Sequence, residues 1–229
     1  MDCAGTWRGE GIDPHYIGIF GGSFDPPHVG HVDLVKAAFA VLDLPEIWVV
    51  PAGNPVHRNL SGCASPEVRL HWLERIFSAD RFPDTRKVKV LAWEVQRQQP
   101  TPTIDTLRHI REKFPDCHPL LLLGTDAFSG MRDWVEYPAH LSLCDVAVFN
   151  RTGCAGAQQQ GWTMASIERW RHEAGSGRFL CVRNALPDVS ATAVRKQAAA
   201  GKSLAGLVPE CVCAEIERAY SRKHNKECM

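Results

Sequence analysis

A doubly wound parallel α/β sheet is the fold this sequence predicts, and three observations predict it. Short apolar runs of strand length alternate with stretches whose apolar residues recur at helical spacing. One short run, Pro119 to Leu123, is almost continuous leucine, the pattern of a parallel strand covered on both faces. Loops bearing glycine and proline follow several strands, at the edge where open α/β sheets bind ligands.

In chain order, Tyr16 to Phe20 reads as the first strand and Val32 to Leu42 as the first helix, with Val32, Val35, Phe39 and Leu42 on one face. Glu46 to Pro51 is the second strand, which completes a βαβ unit and requires a right-handed crossover. Ser65 caps a helix that Pro66 opens and that runs to about Ala79. Lys87 to Val95 alternates and reads as a strand. Thr103 caps a helix from Ile104 to Lys113. Pro119 to Leu123, Asp145 to Phe149 and Arg178 to Val182 are further strands, with a helix expected over Thr163 to His172. Two last helices, Ala191 to Ala200 and Pro209 to about Arg222, are expected to form a small C-terminal helical lobe over about 188–222.

The 229 residues suffice for one large domain or two small ones, and 45% hydrophobic with 23% charged residues is ordinary for a soluble globular chain. Net charge is zero, from 26 basic and 26 acidic residues, so there is no basic field to make nucleic acid or an anionic membrane the main partner. Nine cysteines at irregular spacing include no C-x-x-C pair, and Cys211 and Cys213 are too close for common zinc spacing. They read as free thiols of a reducing cytoplasm. Residues 1–15 are polar, lack the pattern of a signal peptide and read as a loose extension before a single domain over 16–229. No apolar stretch approaches the roughly 20 residues a membrane helix needs.

The stretch from Gly21 to His31, Gly-Gly-Ser-Phe-Asp-Pro-Pro-His-Val-Gly-His, joins the first strand to the first helix. Its glycines allow close approach to the backbone, and the helix start offers free N–H groups to an anion. His28 and His31 can point to one side and add donors, or positive charge when protonated. The stretch therefore reads as a phosphate site. It is not the dinucleotide fingerprint G-x-G-x-x-G, since its glycines are Gly21, Gly22 and Gly30. Nor is Gly201-Lys202-Ser203 the end of a P-loop, because Lys196 stands where the first glycine belongs; it reads as a helix C-cap.

Together with Val189-Ser190-Ala191-Thr192-Ala193-Val194-Arg195, which matches I-S-x-T-x-x-R, this stretch resembles the paired signatures of the H-x-G-H nucleotidyltransferase superfamily. Within it, the chain resembles the bacterial nicotinate-mononucleotide adenylyltransferases. Asn54-Pro55-Val56-His57-Arg58 is similar to their P-x-H-K loop. Residues Pro100 to Leu107 resemble their S-Y-T-x-x-T-L segment, and Leu123-Gly124-Thr125-Asp126 followed by Trp134 resembles G-x-D…W. The resemblance runs from about Ile17 to Tyr220. Pro102 departs from it by replacing a tyrosine, and Val135 stands where an aromatic is common.

The resemblance implies an enzyme of pyridine-nucleotide and NAD biosynthesis that transfers the adenylyl group of ATP to nicotinate mononucleotide, releasing pyrophosphate. His28, His31 and Arg195 would be catalytic. Gly21, Gly22, Ser23, Phe24, His57, Arg58, Ser190, Thr192 and Arg195 would hold ATP phosphates. Ser23, Thr103, Gly124, Asp126 and Trp134 would meet the acceptor. Magnesium would travel on the ATP phosphates, with no carboxylate cage of the protein's own. Nicotinamide mononucleotide or another phosphate acceptor is the rival substrate, and a nucleotide sensor without turnover is the rival class.

Overall fold

The computed structural model describes residues 15–54, 64–79, 87–97, 99–150, 161–172, 175–183 and 186–221. Seven strands form one sheet in which every pairing is parallel. They are β1 (His15–Gly22), β2 (Glu46–Pro51), β3 (Lys87–Val90), β4 (Cys117–Gly124), β5 (Asp145–Asn150), β6 (Thr163–Met164) and β7 (Arg178–Arg183). Their spatial order is β3-β2-β1-β4-β5-β7-β6. The chain thus begins mid-sheet, winds outward through β2 and β3, then returns to β4 and winds the other way. The reversal between β1 and β4 opens a crevice at their carboxyl ends.

Strand alternation divides the core. Phe20, Ile47, Val49, Leu120 and Leu122 face one layer of helices; Ile17, Ile19, Trp48, Val50, Leu121 and Leu123 face the other. The first layer includes α1 (Val29–Leu42), α2 (Pro66–Ile76), α7 (Ala191–Ala199) and α8 (Glu210–Tyr220). The second includes α4 (Thr103–Lys113) and α5 (Thr125–Ser129). Val194, Val212, Ile216 and Tyr220 belong to the same buried cluster as Trp72 of α2, so the two C-terminal helices complete the first layer's core.

Local chemistry explains the helix ends. Ser65 Oγ accepts from the Val68 N–H, with Pro66 at the first helical position. After α7, Gly201 takes a left-handed φ of 68°, as its C-cap reading requires. At the amino edge of the sheet, the buried Asp145 carboxylate accepts from Arg178 Nη2 at 2.6 Å and from Trp170 Nε1 at 3.1 Å, so the first residues of β5 and β7 are tied together.

Several elements differ from expectation. The strand read over Lys87 to Val95 stops at Val90, and α3 (Trp93–Gln96) follows, because the loop after β2 packs against its backbone. The helix read from Thr163 begins only at Ile167 (α6, Ile167–His172), since Thr163 and Met164 pair with β7. Thr103 is the first residue of α4 and not its cap; extended Pro102 precedes it. Cys117, Cys144, Cys211 and Cys213 are free thiols, but Cys181 is disulfide-bonded, against the reading of all nine as free thiols. No described helix is long and apolar enough to cross a membrane.

Candidate active site

The loop between β1 and α1 is held from several sides. Phe24 adopts a left-handed φ of 47° and buries its ring edge-on against Phe20 and His31. Its part is thus to support His31 from below. The Val29 N–H donates to the Leu207 carbonyl at 3.0 Å, which fastens the helix start to the segment before α8. Arg69 of α2 is fully buried and donates to the carbonyls of Ser23, Gly53 (3.2 Å) and Ala64 (3.2 Å). One guanidinium therefore ties this loop to Gly53 and Ala64.

His28 and His31 stack, with ring centroids 3.6 Å apart. The His28 N–H donates to His31 Nδ1 at 3.0 Å. An accepting Nδ1 leaves the proton of the neutral ring on Nε2, free to be donated. The intervening glycine has a steric reason: a Cβ on Gly30 would stand 3.1 Å from His28 Nδ1. Burial pushes His28 down to about 4. Burial, then the neighbouring His28, holds His31 well below the usual histidine range. Both rings are neutral at neutral pH, so they act as hydrogen-bond donors; the positive charge allowed for them in the sequence is absent until an anion arrives.

These residues open into a cleft of about 630 Å³ at the carboxyl ends of β1 and β4. Its wall includes Gly21, Gly22, Ser23, Phe24, His28 and His31 from the first loop and Ser190 and Thr192 from the start of α7. Thr103, Gly124 and Trp134 line it too. Ser190 caps α7, its Oγ accepting from the Ala193 N–H at 3.2 Å. Two helix N-termini therefore address one cavity, an arrangement suited to several phosphates. Trp134 is half-buried, held edge-on by His140 at 5.7 Å, and presents ring surface to the cleft.

Two expected residues are placed differently. Asp126 is exposed on the first turn of α5 and is not part of the cleft wall, because the chain turns into a helix directly after Gly124. Arg195 stands behind the wall; it donates to the Asp25 carbonyl and, through Nη2, to Thr192 Oγ1 at 3.2 Å. His57 and Arg58 lie outside the described residues.

The sequence reading missed Glu94. It sits on α3, only 8% exposed, on the cleft wall beside Thr103, and accepts from Thr106 Oγ1 at 2.6 Å. Burial pushes it up to about 7, partly offset by the Thr106 bond and the Arg97 charge. The available signal was an acidic residue inside a stretch that otherwise read as a half-buried strand.

Fold and site together define a nucleotide-binding α/β protein of the nucleotidyltransferase type, with two helix N-termini facing one cleft at the topological switch point. The cytidylyltransferase-like family profile matches residues 19–197. Relatives named "Probable nicotinate-nucleotide adenylyltransferase" include one from Chlorobium luteolum, 34% identical over 88% of this chain and 95% of its own. Another, from Chromobacterium violaceum, is 32% identical over 88% of this chain and 96% of its own. Among solved structures, Plasmodium falciparum nicotinic acid mononucleotide adenylyltransferase complexed with NaAD has the same fold, with a TM-score of 0.63 at 18% identity over 92% of this chain and 96% of that one. The chain belongs to the cytidylyltransferase-like family and, within it, to the nicotinate-nucleotide adenylyltransferases.

Proposed function

We propose that this enzyme transfers the adenylyl group of ATP to nicotinate mononucleotide. The observation that carries the reading is the convergence on one cleft of the His28–His31 helix start, the Ser190–Thr192 helix start and the Thr103–Trp134 wall. In the reaction an oxygen of the acceptor phosphate forms a bond to the α-phosphorus, and the bond to the β-phosphate oxygen breaks. The electron pair leaves with pyrophosphate. Such a transfer needs alignment and charge stabilisation, with no protein nucleophile.

His28 and His31 donate to oxygens of the α-phosphate as charge builds there. Ser190, Thr192 and Arg195 take the β- and γ-phosphates, joined by His57 and Arg58. Ser23 and the Gly21–Gly22 backbone meet the acceptor phosphate, and Trp134 stacks on the pyridine ring. The protein's groups here are N–H and hydroxyl donors that address phosphate oxygens, so magnesium is assigned to the triphosphate, where it neutralises charge. With no basic field and a neutral sequence, the partners are small nucleotides in the cytoplasm.

The test is pyrophosphate release from ATP with a panel of acceptors. Nicotinate mononucleotide is expected to be preferred. A large preference for the amide would overturn the acceptor, and ATP binding without release would overturn turnover itself.

A further inference from the structure

We propose that Tyr220, at the end of α8, is a positioning residue for this reaction: through Asp25 it keeps the Arg195 guanidinium available to the triphosphate. The inference rests on the reading of Arg195 as a phosphate ligand.

Asp25 is 1% exposed, in the middle of the β1–α1 loop. Its Oδ1 accepts from the Tyr220 hydroxyl and from the Ala64 N–H at 3.1 Å. Its Oδ2 is buried without a hydrogen-bond partner and stands 3.6 Å from Arg195 Nη1. Arg195 meanwhile bonds the Asp25 main-chain carbonyl, and its side chain stays 31% exposed.

A carboxylate this close to a guanidinium favours a bidentate pair, two parallel N–H···O bonds. That pair would turn two of the guanidinium donors inward. It needs both carboxylate oxygens. Here Oδ1 is already engaged by Tyr220 and Ala64, so rotating the carboxylate onto the guanidinium would break both of these bonds. Arg195 thereby meets the carboxylate through Oδ2 alone, at 3.6 Å, and its Nη2 stays turned toward Thr192 at the edge of the cleft, where an anion can reach it. Tyr220 is 195 positions from Asp25 along the chain, which explains why neither motif includes it.

The test measures ATP and AMP affinity by calorimetry in the whole protein. Tyr220→Phe is expected to weaken ATP about 3- to 10-fold, the scale of one hydrogen bond, and AMP less than about 2-fold, because AMP lacks the β- and γ-phosphates. Adding Asp25→Asn to Tyr220→Phe is expected to restore most of the ATP affinity, since a neutral amide does not capture the guanidinium. Equal losses of ATP and AMP, or a double variant weaker than Tyr220→Phe alone, overturn the inference. Arg195→Ala separates the two levels. If it leaves ATP affinity unchanged, the phosphate role of Arg195 falls and the inference with it. If it weakens ATP binding and Tyr220→Phe then adds its full effect, only the inference falls.

Discussion

The Thr106 hydroxyl donates to the Glu94 carboxylate at 2.6 Å, joining the first turn of α4 to α3 at the cleft wall. The bond anchors an acid that burial holds near about 7. Within the same cleft His28 is a base held near about 4. Their effects on stability have opposite signs. The folded pKa of His28 is depressed, so its contribution is present above 6.5 and lost as pH falls through about 4. The folded pKa of Glu94 is raised, so its contribution is present below 4.5 and lost as pH rises through about 7.

Glu94→Gln separates these effects. Each shift corresponds to about 3 kcal/mol at full development. Glutamine still accepts from Thr106 but does not ionise. Thermal melts are expected to show the variant several degrees more stable than the parent at pH 8 and close to it at pH 5. An equal difference at both values would mean that the carboxylate is not the titrating group.

His31→Ala removes the donor that Phe24 supports and that the His28 N–H orients. Turnover is expected to fall roughly 10²- to 10³-fold, the usual cost of one donor aimed at developing charge. Circular dichroism and ATP binding should change little. An unchanged rate would remove His31 from the chemistry.

Gly53→Ala tests the packing of the loop after β2. An added Cβ would meet the Glu94 carbonyl oxygen at 2.0 Å and its carbon at 2.7 Å, and both are backbone atoms that cannot swing aside. A loss of about 1–3 kcal/mol in denaturant melts is expected, the cost of overpacking. A wild-type midpoint would show that α3 moves freely, and would weaken the account of Glu94.

Asp145→Ala is the control at the other end of the sheet. It removes the carboxylate that binds Arg178, which keeps the Tyr16 hydroxyl at 2.7 Å, and it takes the acceptor from the buried Trp170 indole N–H. Stability is expected to drop by about 3–5 kcal/mol. The Michaelis constants of the folded fraction should stay at parent values, because none of these residues lines the cleft. A selective rise in KM for ATP would contradict this division of roles.

The cleft was legible from the sequence where its residues are neighbours in the chain. His28 and His31, and Ser190 and Thr192, sit in contiguous stretches whose spacing follows from a helix start, and the structure brings both stretches to one cavity. The acceptor side was harder to read. Asp126 follows a strand end, as a ligand often does, yet the immediate turn of α5 carries it out of the wall. Glu94 was hidden inside an alternating stretch that fitted a strand, because pairing with β2 ends at Val90 for reasons that lie in the packing of Gly53.

The sequence by itself determined six of the seven strands, the parallel sheet and the two helix starts that meet at the cleft. Each is written in local periodicity, caps and glycines, which act over a few residues. Only the tertiary structure decided the charge states of His28, His31 and Glu94, the clamp of Arg69 and the hold of Tyr220 on Asp25. Those depend on burial and on contacts between residues far apart in the chain, and no local pattern encodes the loss of water around a side chain.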